Sequence, residues 1–291
     1  MNENTRGALA MAVAMTLIVI NDSMIKLVSE TLPTAQTIGV RGLFATLFIG
    51  LAMVATGQVR RMRAAFEANT LWRAFLDIVG TFGYLIALFR MPLAEATAIN
   101  MAAPLLIVVL AVVVLRETVS LERWAVVLVG FLGMLLIVRP GGNAFSVWAG
   151  LAMAATVLNA ARDIVTRRIP PGVPSLVVSF VTASTVMATG CAGATLEGWQ
   201  AMDLWQLLML GGAAAFLSGA YYLMIVAMRL GEASFVGGFR YAGLPAAALL
   251  GWAMWGHLPD LPAGIGMTVL VCAGLYLLRG QRATTRRRTG S

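Results

Sequence analysis

The chain has 291 residues, of which 59% are hydrophobic and only 12% charged, with a net charge of +8. A soluble domain carries roughly a quarter charged residues, so this composition cannot cover a water-facing surface and instead predicts an all-α membrane protein. The arginines cluster between apolar runs and in the tail "RGQRATTRRRTGS", a distribution that fixes topology and touches anionic lipid rather than nucleic acid.

The hydropathy pattern predicts ten transmembrane helices, each long enough to cross a bilayer. The first, Ala8–Val28, has no A-x-A-like cut site and reads as a span rather than a signal peptide. It holds Asn21, Asp22 and Lys26, the only lysine. Asp22 and Lys26 are four residues apart, so they share a helix face and can pair. The second span, Thr34–Thr56, holds Arg41, whose expected partner is Asp22. The longest connection, "GQVRRMRAAFEAN", follows it. The third, Leu71–Phe89, carries Asp77, then Gly80, Gly83 and Tyr84. Glycines there suit close helix packing, whereas a phenol at depth needs a hydrogen-bond partner and can line a substrate path.

In the fourth span, Leu93–Leu115, Thr97, Asn100 and Pro104 fall on one face. Pro104 removes a backbone bond to the Asn100 carbonyl and predicts a hinge. The fifth is Leu121–Val138. The sixth, Phe145–Val165, holds Asn159, Arg162 and Asp163; Arg162 either snorkels to the headgroups or joins an ion pair. The seventh is Ser175–Leu196. The eighth, Leu204–Met228, carries Tyr221 and Tyr222 in "LSGAYY", and Tyr222 is expected opposite Tyr84. The ninth, Ala233–Trp255, reads "GGFRYAGLP", with Phe239, Arg240 and a second hinge proline, Pro245. The tenth is Leu261–Leu278. Arg240 has three readings: a snorkelling cation, a partner of Asp77, or a cavity-facing cation for a substrate carboxylate.

The two halves look alike. "RGALAM" (Arg6–Met11) recurs as "WAGLAM" (Trp148–Met153), "LAEAT" (Leu93–Thr97) as "LGEAS" (Leu230–Ser234), and the Leu71–Trp72 pair as Leu204–Trp205, in the same order. A five-helix unit is odd-numbered, so its copy enters the membrane upside down. The expected organisation is a 5+5 inverted-topology repeat: residues 1–140 as the first unit, 141–280 as the second and 281–291 as a basic cytoplasmic tail. Arg60, Arg61, Arg63, Arg167, Arg168 and the tail fall on one side, against Arg90 and Arg139 on the other, which places both termini in the cytoplasm. Asp163 aligns with Asn21 and Arg168 with Lys26, so the two polar clusters fall at opposite faces, where they can act as gates.

Arg41 in "GVRGLF", the proline of the fourth span and Glu117 in "LRETVS", together with the duplicated spans, give a combination that resembles the EamA-type drug/metabolite transporter superfamily over about residues 8 to 279. One departure stands out: the second half reads "GHLPD", with His257, where the first half has Glu117. The resemblance implies export of small metabolites from the inner membrane, with amino-acid exporters a prominent branch.

The expected activity is therefore alternating-access export of small amphipathic metabolites, amino acids with aromatic or bulky apolar side chains above all. Tyr84, Asn100, Asn159, Tyr222, Phe239 and Arg240 are the candidate substrate contacts. Asp22, Lys26, Arg41, Asp77, Arg162 and Asp163 are the candidate gate or ion-pair residues, and Pro104 and Pro245 the hinges. A nucleotide-sugar or sugar-phosphate carrier is the rival within the fold, although phosphate calls for two or more cations. An intramembrane enzyme would need a nucleophile–base or metal constellation, and the one histidine and the unpaired Cys191 and Cys272 offer none. No catalytic residue, metal or cofactor is expected. The partners are a small-molecule substrate and the bilayer, and a monomer already holds one complete pathway.

Overall fold

The computed structural model describes residues 3–116, 119–138, 146–166, 168–170, 172–230 and 236–289. Glu117, Arg139, Arg167 and the expected ninth-span start at Ala233 lie outside the described residues. The described elements are helical: α1 (Glu3–Val28), α2 (Thr34–Ala55), a 3₁₀ helix (Gln58–Phe66), α3 (Ala68–Arg90), α4 (Leu93–Asn100), α5 (Ala103–Leu115) and α6 (Leu121–Val138). After these come α7 (Val147–Thr166), α8 (Ser175–Glu197), α9 (Leu204–Leu230), a second 3₁₀ helix (Gly237–Ala242), α10 (Gly243–Trp255) and α11 (Leu261–Thr289). Among the described residues, seven helical stretches, with α4 and α5 taken together, are long and apolar enough to cross a membrane. Along α2, Leu43, Leu47, Leu51 and Val54 are exposed at helical spacing, a face that suits acyl chains rather than water. Trp72, Trp199, Trp205 and Trp252 are also exposed, as interfacial tryptophans are.

Three expectations change. The connection after α2 is not an open loop: Met62 and Ala65 of its 3₁₀ helix pack on Met53, Val177 and Phe180, while Arg60, Arg61 and Arg63 stay exposed. The last helix runs to Thr289 rather than ending at Leu278, since its arginine-rich sequence holds good helix formers. The fourth span is two helices. Ala102 donates back three residues to the Ile99 carbonyl (3.1 Å), as does Leu105 to Ala102 (2.9 Å), so the chain tightens just before Pro104, which has no N–H to give.

The chain forms two compact units, and each draws on both halves of the sequence. The second unit comprises Ile20–Arg90 and Leu151–Ser218. Its tightest joint is between α2 and α8: a methyl group on Gly190 would lie 2.5 Å from the Gly39 nitrogen, so only glycines let these backbones touch. Contacts of Gly39 with Gly190, Gly42 with Met187 and Gly50 with Phe180 run in opposite directions along the chain, so the pair is antiparallel. The α8–α9 connection is tied down as well. Gln36, fully buried, donates to the Gln200 carbonyl (2.7 Å) and accepts from its N–H (2.9 Å), and Glu197 accepts from the Ala35 N–H (3.0 Å) at the α2 N-terminus. Asp203 and Gln206 exchange backbone and side-chain bonds at the start of α9, a reciprocal cap.

The first unit comprises Met1–Val19, Met91–Gly150 and Gly219–Ser291. Within it α6 packs on α11, with Gly133 facing the Gly266 carbonyl, and α4 packs on α10. Met11, Ala14 and Met15 of α1 form a core with Ala220, Ala227 and Val236.

Candidate functional site

The polar residues singled out in the sequence fall into three groups. In the second unit, Asp22 is buried on α1 and accepts hydrogen bonds from the Tyr84 hydroxyl of α3 (2.9 Å) and from Asn21 Nδ2 (2.8 Å). Arg41 Nη1 reaches Asn21 Oδ1 at 3.5 Å, so the guanidinium meets the amide next to the carboxylate rather than the carboxylate itself. Lys26 also differs from expectation. Instead of bonding Asp22 one turn away, its Nζ donates to the Leu88 carbonyl at 2.6 Å. The cause lies four residues beyond Leu88: Pro92 has no N–H, so that carbonyl lacks its i+4 helical donor, and a cation at a helix C-terminus also suits the helix dipole.

The second group joins α3 and α7 in the same unit. Arg162 Nη1 pairs with Asp77 Oδ1 at 2.5 Å, while its Nε and Nη2 hold Asp163 Oδ1 at 3.0 and 2.9 Å. Arg162 is thus an ion-pair residue rather than a snorkelling one, and the cation at Asp77 is Arg162 rather than Arg240. One turn along each helix, Asn159 Oδ1 presses on Gly80, where a methyl group would come within 2.5 Å of it. That oxygen is buried without a hydrogen-bond donor. Arg73 donates to Thr166 Oγ1 (3.0 Å) and to Thr182 Oγ1, which brings in α8.

The third group belongs to the first unit and surrounds its interrupted helices. The break at Met101–Ala102 meets the start of α10: a methyl on Gly243 would lie 2.5 Å from Met101 Cε, with Met15 and Val19 of α1 close behind. Tyr241, in the 3₁₀ turn, sets its hydroxyl end against Gly274 of α11. The hydroxyls of Tyr241 and Thr97 are buried without partners. Arg240, Phe239 and Tyr222 are exposed, and Asn100 is half-buried at the last position of α4. Pro104 and Pro245 sit near the N-termini of α5 and α10, where a missing N–H is tolerated.

Sequence reasoning missed the Lys26–Leu88 bond, the Asn159–Gly80 contact and the Met101–Gly243 and Tyr241–Gly274 contacts. Only the first had a local signal, the proline four residues past Leu88.

Comparison with known proteins agrees with this architecture. Residues 5–139 match the EamA-like transporter family. The riboflavin transporter of Brucella anthropi is 24% identical, covering 82% of this chain and 86% of its own. The S-adenosylmethionine uptake transporter of Rickettsia prowazekii is 23% identical, covering 90% and 89%. The pseudopaline exporter CntI of Pseudomonas aeruginosa is 25% identical, covering 94% and 96%. A solved crystal structure shares the fold at a TM-score of 0.61, with 21% identity over 94% of this chain and 98% of the other. Helices of membrane-spanning length, interrupted spans and these relatives agree: residues 5–139 match the EamA-like transporter family, and most of the chain is similar to small-molecule transporters.

Proposed function

We propose that the chain is an alternating-access carrier of small amphipathic metabolites, built from ten spans as two five-span repeats of inverted topology. It lies in the inner membrane with both termini cytoplasmic. The observation that carries this reading is the pair of interrupted helices: the Met101–Ala102 break and the Gly237–Ala242 turn occupy corresponding places in the two sequence halves, and they meet where Met101 packs on Gly243. Interrupted spans at matching positions mark the substrate region of carriers, and they give the backbone a place to bend.

Amino acids, especially aromatic or bulky apolar ones, are the favoured cargo, moved outward. Arg240 takes the substrate carboxylate. Asn100, Asn159, Tyr84 and Tyr222 supply hydrogen bonds, and Phe239 an apolar wall. The Asp22–Lys26–Arg41 and Asp77–Arg162–Asp163 groups serve as outer and inner gates, with Pro104 and Pro245 as hinges. The relatives named for riboflavin and S-adenosylmethionine favour a second reading, in which the cargo is a larger metabolite with a heteroaromatic ring.

Uptake into liposomes bearing the purified protein separates these readings, using labelled phenylalanine, threonine, riboflavin, S-adenosylmethionine and a nucleotide sugar. Saturable phenylalanine flux, lowered about tenfold in Arg240→Ala as for loss of one charge-assisted bond, is the expected result. Flux of only riboflavin or S-adenosylmethionine selects the second reading, and no flux of any probe overturns the carrier.

A further inference from the structure

We infer that Asp22 is a proton-binding site that couples this carrier's cycle to a proton gradient, with Tyr84 positioning its carboxylate. The coupling rests on the carrier reading above; proton binding does not.

Two buried aspartates in the second unit have opposite surroundings. Asp77 and Asp22 are each 6% exposed. Asp77 touches the Arg162 guanidinium directly, in a charge-assisted pair. Asp22 is bonded only by neutral groups, the Tyr84 hydroxyl of α3 and the Asn21 amide of its own helix. The charged groups facing it are one step removed. Arg41 of α2 reaches Asn21, and Lys26, one turn along α1, donates to the Leu88 carbonyl. A buried carboxylate without a directly bonded cation can exchange its charge for a proton, because the neutral acid is far easier to hold away from water.

The surrounding groups fit both states. With Asp22 ionised, Tyr84 donates to it. When a proton from one aqueous phase forms an O–H bond on the carboxyl, the Tyr84 oxygen can accept that new donor, so the added proton has a hydrogen-bond partner. Neutral Asp22 no longer attracts Arg41, which loosens α1 from α2 until the O–H bond breaks and the proton leaves to the opposite phase. One substrate movement per proton follows.

Infrared difference spectra of the protein in lipid nanodiscs, stepped through pH, read the proton directly. The expected result is a protonated-carboxyl band that titrates, disappears in Asp22→Asn and persists in Asp77→Asn. Absence of the band from wild type, or its survival in Asp22→Asn, overturns the proposal. Should Asp22→Asn fail to fold, Tyr84→Phe must shift the band's frequency and midpoint, and an unmoved band counts against the site. Coupling is then read in liposomes under an imposed pH gradient without membrane potential. One proton per substrate predicts phenylalanine accumulation approaching about tenfold per pH unit, against a ratio of one in Asp22→Asn. A wild-type ratio of one with measurable flux refutes coupling. If no probe moves at all, the carrier reading fails and the infrared result alone decides whether Asp22 binds a proton.

Discussion

The two units of this molecule solve the same problem, polar groups among apolar helices, in different ways. The second unit fastens its charged side chains: Arg162 forks between Asp77 and Asp163, Asp22 takes two donors, and Lys26 takes the carbonyl that Pro92 leaves open. The first unit interrupts two helices and holds the breaks by methionine and glycine packing instead; buried polar atoms without hydrogen bonds occur in both units, Thr97 and Tyr241 in the first and Thr46, Asn159 and Ser184 in the second. Bonded charges resist rearrangement, whereas interrupted helices packed on flexible thioethers can change shape at small cost. The first unit is therefore where the backbone is expected to bend, and the second is expected to move only where its side-chain bonds are exchanged.

The sharpest way to break this contrast is at the α2–α8 backbone joint of the second unit. Gly190→Leu forces atoms into the Gly39 backbone, which cannot give way, and should abolish monodisperse protein in size-exclusion chromatography. Gly264→Ala, on a helix with open space at that position, should stay folded and gain roughly 0.5 to 1 kcal/mol. Next in size, Asp77→Ala removes the buried half of the Arg162 ion-pair group and should cost about 1 to 3 kcal/mol in chemical unfolding.

A pair of tyrosines sharpens the comparison further. Tyr84→Phe removes a bond to a buried carboxylate and should cost about 1 to 2 kcal/mol. Tyr241→Phe removes a hydroxyl that has no partner and should be neutral or slightly stabilising. Equal losses at the two sites would erase the distinction between the units.

The smallest effect concerns the cap of α3. Glu67 accepts from the Thr70 N–H (2.8 Å) and from Asn69 Nδ2 (2.7 Å). Partial burial pulls its pKa upward, but the bonds from Asn69 and Thr70 outweigh that and hold it below the ordinary 4.5. A depressed folded-state pKa contributes stability that is present above the ordinary value and lost as pH falls through the folded one. Wild type should therefore melt higher than Glu67→Gln at neutral pH, and the gap should narrow below pH 4.5.

Much of the architecture was legible in the sequence because its signals are local. Hydropathy runs located α1, α2, α3, α6 and α8 to within a few residues, and a proline among apolar residues located the break near Met101, since the missing N–H acts within one turn. Partners were less legible. Asp22 and Lys26 look paired by spacing, yet a carbonyl freed by Pro92 claims the ammonium. Arg162 finds Asp77 across 85 residues, a contact that helix packing decides and spacing cannot reveal. The 3₁₀ helix after α2 has the sequence of a loop because its arginines mask the two residues, Met62 and Ala65, that bury it.

The central claim is that substrate crosses on a carrier that reorients around a fixed site. Counterflow tests it most directly: liposomes loaded with excess unlabelled phenylalanine are diluted into a trace of labelled phenylalanine, and internal label is followed over time. A carrier predicts a transient overshoot of label above its equilibrium level, lost when Gly243→Leu jams the Met101 contact. Label that rises monotonically to equilibrium in wild type, at a rate indifferent to the internal load, would contradict it.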